Sequence, residues 1–176
     1  MKPTEPTPVK LICGILYSDE GLLQEARKNL EERFGRIDYT SKVFPFDVTD
    51  YYVPEMGAPI HRLFYSFRNL INPKQLAQIK IDCNEIEDQL AVDRHRKVNI
   101  DPGYLDYDKF ILASAKYNAH KVYLDLGIYA DLTLTYRRGH FIPSQYCFPD
   151  FKNGIYEKEI LFMRAKYKGQ LRKMNK

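Results

Sequence analysis

Tryptophan is missing from this chain, and cysteine is scarce: three residues, Cys13, Cys83 and Cys147, lie 70 and 64 positions apart. No C-x-x-C pair exists, so neither a zinc ribbon nor a dithiol redox motif is indicated, and each cysteine reads as a small buried apolar side chain. Long apolar runs are also lacking. None approaches the ~18 residues of a membrane span, and the Pro-rich opening from Met1 to Pro8 has no apolar core of a signal peptide. A reducing, cytoplasmic location without membrane contact is the expectation. The phosphate-cradling G-x-x-x-x-G-K-[ST] is absent, and no G-x-G-x-x-G follows the first strand, because Gly14 lies inside it. Neither H-E-x-x-H nor G-x-S-x-G occurs. His61, His95, His120 and His140 never stand at ligand spacing from one another, so any metal site has to be assembled by the fold.

What the chain does have is rings and charge. Its 176 residues include 14 Tyr and 10 Phe, and 44% are hydrophobic against 28% charged. That length suits one domain of ~100–200 residues, able to bury roughly 70% of its unfolded surface without disulfides or metal. We expect a single domain over 1–176, with 1–8 a disordered lead-in and 164–176 a basic helix end. The formal charge of +4 is unevenly placed. Arg164, Lys166, Lys168, Arg172, Lys173 and Lys176 face no acid within the tail, leaving 21 basic against 23 acidic residues in the body. A basic C-terminal helix end complements the helix dipole, and it also offers a phosphate or RNA contact.

Val9 to Leu16 is a continuous apolar run of the kind found in a strand covered on both faces. Ser18 is placed to cap a helix carrying Leu22, Leu23, Ala26, Leu30 and Phe34, with Gly35 as its stop. Residues 37–48 read extended, and Thr49 to Pro59 reads as a loop suited to a lid. A second strand from Arg62 to Ile71 leads into Asn72-Pro73, a helix start, with Leu76, Ile79, Cys83, Ile86 and Leu90 as one stripe. Lys97 to Ile100 reads as a short strand ended by an Asp101-Pro102-Gly103 turn, and Asp106 as the cap of a helix through Phe110, Ile111, Leu112 and Ala115. Lys121 to Gln145 alternates strictly. Ile128, Ala130, Leu132, Leu134 and Tyr136 fall on one face and Tyr129, Asp131, Thr133, Thr135 and Arg137 on the other, a meander with one wet face. A last helix begins near Ile155. The expected fold is therefore α+β: a mixed β-sheet with a ferredoxin-like (split βαβ) first half, an antiparallel meander and about four helices.

Acids and aromatics gather at strand ends in four clusters: Phe44 to Tyr52, Asn99 to Tyr104, Tyr136 to His140, and Phe148 to Phe151. Strand ends carry ligand loops. Convergence there would make Asp47, Asp101 and His120 the acid–base or cation-holding groups, Arg138 an anion clamp, and Asp50, Tyr51, Asn99, Tyr104, Tyr129, Tyr136 and Asp150 ligand contacts. Each cluster has a structural reading as well: a favoured turn, a hairpin tip, a helical cap.

At these clusters the chain resembles the bacterial family DUF4416, a domain of unknown function. The likeness runs from Pro8-Val9-Lys10-Leu11 and Glu32-Arg33-Phe34-Gly35 to the C-terminal helix. Its most specific stretches are Phe44-Pro45-Phe46-Asp47, Thr49-Asp50-Tyr51-Tyr52, Glu55-Met56-Gly57 and Val98 to Leu105. Lys121-Val122-Tyr123-Leu124, Gly127 to Ala130 and Thr133-Leu134-x-Tyr136 also match; Phe151 stands where tyrosine is expected. The resemblance implies a bacterial cytosolic protein and supplies no mechanism. Some relatives carry an automatic GTP-binding label, for which this chain offers no P-loop.

From the residues, the first functional expectation is an enzyme or binder for a small phosphate- or carboxylate-bearing compound, with a nucleotide or divalent cation as its cofactor. The second is an RNA-binding module built from sheet aromatics and the basic tail, and the third is a scaffolding protein without a ligand. The oligomeric state is not legible.

Overall fold

In the computed structural model, residues 1–174 are described; Lys176 of the basic tail lies outside them. The elements run β1 (Val9–Tyr17), α1 (Glu20–Phe34), β2 (Ile37–Thr40), β3 (Phe44–Pro45), α2 (Val53–Met56), β4 (His61–Ile71), α3 (Leu76–Gln89), β5 (Val98–Leu105), β6 (Lys109–Ser114), β7 (Val122–Asp125), β8 (Ile128–Arg137), β9 (His140–Pro143), α4 (Pro149–Lys152) and α5 (Glu157–Met174). They build one nine-stranded sheet, ordered β2-β4-β1-β5-β6-β8-β7, with β3 on β4 and β9 on β8. Its first four positions, β2-β4-β1-β5, are the ferredoxin-like arrangement the first hundred residues imply. Every pairing is antiparallel rather than mixed. The helical crossovers link β1 to β2 and β4 to β5 across an intervening strand, so no parallel neighbours arise.

β1 is buried along its whole length because each face meets helices. Leu11, Cys13, Ile15 and Tyr17 join Leu23, Ala26 and Leu30 of α1 and Ile79, Cys83 and Ile86 of α3. On the opposite face Ile12 joins Phe64 and Phe110 against Ile160, Met163, Tyr167 and Leu171 of α5. Each such side chain contributes about 1.5–3 kcal/mol of transfer free energy. At the start of α1 the cap is Asp19, which accepts from the Leu22 amide, instead of Ser18, whose hydroxyl is drawn to the Met56 carbonyl at 2.6 Å. Asn72 does cap, in a reciprocal box with Gln75, before a short 3-10 turn leads into α3.

Two local readings fail, for one reason. Asp101-Pro102-Gly103 is not a turn: β5 runs straight through it, paired with β1 from Lys10↔Leu105 to Tyr17↔Val98. Pro102 is tolerated because β6 pairs only Gly103 to Leu105, leaving one edge of β5 free at the proline. Gly103 has a steric reason to be glycine: a Cβ there would lie 2.2 Å from the Ile111 carbonyl oxygen. Phe110 to Ala113 is likewise strand β6, not helix, and Asp106 instead accepts from the Asp108 and Lys109 amides in the β5–β6 turn. Short apolar runs fit buried strand and helix equally well, and cross-strand pairing decides between them.

The meander is correct in its strands and wrong in its faces. Pairing steps from Phe110↔Leu134 to Ile111↔Leu132, so Thr133 is an extra, bulged residue. The bulge moves Leu134 to the α5 side while Ile128 stays on the α3 side with Ile111 and Ala113, and it leaves Asp131 and Thr133 buried. At the last helix, Tyr156 rather than Ile155 is the buried residue of the lead-in.

Candidate functional site

Because β5 and β6 pair only at their joined ends, they part beyond Gly103, and a cavity of about 860 Å³ opens in the fork. Asn99 and Asp101 of β5 line one wall, Leu112 to Lys116 the other, and Val48, Thr49, Tyr51 and Tyr52 cover it. Alternation places Asn99, Asp101, Leu112 and Asp131 on the α5 side of the sheet. Lys80, Asn84, Glu87 and Asp88 of α3 reach the same space through the gap.

Arg96 organises the floor. Its guanidinium donates to both Glu55 carboxylate oxygens, at 2.6 and 2.8 Å, and to Glu87 at 2.7 Å and the Asn99 side-chain carbonyl at 2.9 Å. That fork–fork geometry suits arginine and not lysine. It ties α2, in the covering segment, to α3 and β5 at once. Glu87 also accepts the Ile100 amide at 2.7 Å, while the Lys80 ammonium donates to the Ile100 carbonyl at 2.8 Å and stands 3.9 Å from Asp101. Burial raises the Glu87 carboxyl, opposed by Lys80 and Arg96; the Arg96 hydrogen bond holds Glu55 low, and Glu55 and Glu87 hold the guanidinium charged. Tyr52, pushed up to about 12 by burial and then by Asp101, stays a neutral phenol in the cavity wall.

The mouth is built differently. The Lys116 ammonium is 2.7 Å from the Tyr51 hydroxyl and 4.9 Å from that ring's centre, and no ion pair to it is found among the described residues. Lys121 donates to the Ser114 hydroxyl at 2.9 Å and stands 3.5 Å from Asp131. His120 lies on the far side of Asp131, at 3.6 Å, stacked on Tyr146.

Of the residues named from sequence, Asp101, Asn99 and Tyr51 line this cavity, and His120 adjoins it through Asp131. Asp47 lines a second, smaller hollow with Lys42 and Lys158, and Asp50 lines neither. Tyr104 is an odd number of positions from Asp101, so it points to the other face and packs in the Leu76–Ile111 cluster. Tyr129 packs edge-on to Tyr117 and Tyr123; Tyr136 is covered by the Arg164 guanidinium at 3.4 Å. Arg138 occupies a hairpin turn at φ 48° and lines no part of the cavity. Asp150 is fully buried, 3.3 Å from Arg62 and accepting from the Tyr156 hydroxyl at 3.0 Å. The basic tail is partly engaged too: Arg164 donates to the Tyr107 carbonyl and Lys166 lies 3.8 Å from Asp38.

Sequence reasoning missed Lys80, Glu87, Arg96, Lys116 and Lys121. Lys80 and Glu87 carried a usable signal, since each follows a stripe residue of α3, Ile79 and Ile86, on the edge of its buried face. The others sit in loops or next to turns, where no periodicity marks them.

Among the described residues, no group of three or more His, Cys, Asp or Glu side chains is placed to hold a metal ion, and no helix is long and apolar enough to cross a membrane. The family model described as Domain of unknown function (DUF4416) matches residues 7–167. No curated protein and no solved structure matches the chain.

Proposed function

The chain belongs to the DUF4416 family, whose function is unassigned, and from the cavity in the β5–β6 fork we propose that it binds a small phosphate- or carboxylate-bearing compound there. One observation carries the reading: among the described residues Lys116 stands at the mouth bonded only to a phenol, whereas the other lining cations, Lys80, Arg96 and Lys121, already face Glu55, Glu87, Asp101 and Asp131. A cation held by a neutral partner attracts an anion more strongly than one already neutralised. The anionic group meets Lys116 and Lys121. Tyr51, Leu112 and Phe148 supply the apolar cover for the rest of the compound, the usual mixture in a small-molecule site. For a reaction in this space Asp101 is the more accessible of the two lining carboxylates beside Lys80, the other being Glu87, and the His120–Asp131 pair is the adjacent proton carrier. A nucleotide would bind by this geometry and not through a P-loop. The RNA reading draws less support, because Arg164 and Lys166 are occupied within the fold.

The test is a melting-temperature screen of the full chain with inorganic phosphate, pyrophosphate, a nucleoside triphosphate and aliphatic dicarboxylates. At a hundredfold excess over Kd, binding raises stability by about 2.7 kcal/mol. At least one anion is expected to raise the melting temperature, and Lys116→Ala and Lys121→Ala to weaken that shift. A wild type unmoved by every anion, or a shift that survives both substitutions, overturns the reading.

A further inference from the structure

The cavity in the β5–β6 fork is far larger than one anionic group requires. Its volume of about 860 Å³ is in the range of sites that enclose a whole small molecule. Among the described lining residues, only Lys116 is a cation without an ion pair, and it stands at the mouth. The rest of the space takes either an uncharged body or a second charged group, and the lining carboxylates decide between them.

A second anion would meet Asp101, Glu87 and Asp131. An ammonium group is not called for either, because each of these acids already faces a lysine. Lys80 stands 3.9 Å from Asp101 and 3.8 Å from Glu87, and Lys121 stands 3.5 Å from Asp131. What is left over is hydrogen-bonding capacity without charge. The Asn99 side-chain oxygen accepts from Arg96 at 2.9 Å, and since arginine only donates, this fixes the orientation of the amide. Its Nδ2 then has no acceptor, although Asn99 is only 5% exposed. A buried donor left in that state is costly and asks for an explanation. Two residues along, on the same face of β5, the Asp101 carboxylate is 25% exposed. It has Lys80 at 3.9 Å, beyond hydrogen-bond distance, and accepts no hydrogen bond among the described residues. An unused donor and an unused acceptor on one strand are both met by a group that gives and takes, the hydroxyl.

We propose that the compound bound here is polyhydroxylated and carries a single anionic group, as a sugar phosphate or a sugar acid does. The anionic group lies at the mouth on Lys116. Neighbouring hydroxyls reach into the fork, one donating to the Asp101 carboxylate and one accepting from the Asn99 amide. Phe148, exposed at the rim, gives the C–H face of such a compound an apolar surface to lie on. The inference rests on the anion reading of Lys116 and adds to it what the body of the compound is.

Titration calorimetry of the full chain tests it with ribose 5-phosphate, glucose 6-phosphate and gluconate. Butyl phosphate is the control that keeps the anion and lacks hydroxyls, and ribose is the control that keeps hydroxyls and lacks the anion. At least one hydroxylated anion is expected to bind about tenfold tighter than butyl phosphate or more, because a site built to bond a hydroxyl rejects the analogue without it. Asp101→Ala should erase that preference, weakening the hydroxylated anion while butyl phosphate binds as before or better. Asn99→Asp keeps an oxygen for Arg96 and loses the donor, and should narrow the same preference. The wild-type comparison decides the matter even if a variant fails to fold. Butyl phosphate binding as tightly as every hydroxylated anion, with both lost in Lys116→Ala, overturns this inference and leaves the anion site standing. A preference unchanged in both folded variants overturns the roles of Asp101 and Asn99. Ribose binding as tightly as ribose 5-phosphate overturns the anionic head, and no binding by any anion overturns the inference together with the reading it rests on.

Discussion

At the scale of single residues, the aromatic excess does structural work more than ligand work. Phe64, Phe151 and Tyr156 pack edge to face around the buried Arg62, whose guanidinium carbon also lies 5.0 Å from the Phe46 ring centre. Gly14 leaves room beneath them, since a Cβ there would come within 3.2 Å of Phe64 and 3.5 Å of the guanidinium. Several phenols are buried deeply enough to alter their chemistry. Burial pushes Tyr52, Tyr65 and Tyr167 up to about 12, as does burial with the Glu159 hydrogen bond for Tyr39. An unfolded tyrosine ionises near 10. The folded state thus keeps these protons while the unfolded state loses them, and the stability they contribute is complete below pH ~10 and falls as pH rises from there toward 12. Tyrosinate absorbance of the native protein should rise in two steps, the second coinciding with unfolding. In denaturant all 14 tyrosines should titrate together; one native transition near pH 10 would contradict the assignment.

At the scale of elements, α2 is too short to stand by itself, with four residues and no side-chain cap. Its position over the cavity comes from the Glu55–Arg96 pair and from the Ser18 and Lys97 bonds to the Met56 carbonyl. Glu55→Ala should therefore loosen residues 47–58 without unfolding the sheet. Protease cleavage or hydrogen exchange in that segment is expected to quicken about tenfold, ~1.4 kcal/mol of local opening. Glu55 has a depressed carboxyl pKa, so the tie is intact above the ordinary carboxylate range and weakens as pH falls through the lowered value. Wild type should show the same loosening in acid, and equal exchange rates in wild type and variant at neutral pH would refute the role. The elements also explain why some were legible and others not. The stripe from Leu76 to Leu90 and the run from Val9 to Leu16 each bury a whole face, so period and burial agree. Asp101-Pro102-Gly103 and Asp106 have strong turn and cap preferences that pairing with β1 and β8 overrides.

At the scale of the whole molecule, α5 is docked to the sheet by a lysine the sequence did not mark as special. Lys10 is fully buried on β1, yet its ammonium donates to Asp38 at 2.9 Å, the Phe67 carbonyl at 2.8 Å and Gln170 of α5 at 2.8 Å. All three donors are satisfied, which makes a buried charge tolerable. Removing one partner of such a pair typically costs about 3–5 kcal/mol, and replacing it with an apolar residue of like shape costs much less. Lys10→Ala should lower the denaturation midpoint far more than Lys10→Met. Asp38→Ala should cost several kcal/mol alone and clearly less in the Lys10→Met background; additive losses would show that the two side chains are not coupled.

The sequence by itself determined the α+β class, the ferredoxin-like order of the first half, the main helices with their buried stripes, and the strands of the meander. Those follow from local periodicity and from which side chains avoid water. Only the tertiary structure decided that β5 passes through a proline, that a bulge at Thr133 splits the meander between two cores, and that the fork between β5 and β6 gathers Asn99, Asp101 and Tyr51 with Lys80, Glu87, Arg96, Lys116 and Lys121. It also dispersed Asp47, Tyr104, Arg138 and Asp150 from that fork. Whether two strand ends share a space depends on pairing register and on the face each residue takes, and both are set between segments far apart in the chain, where no local pattern can record them.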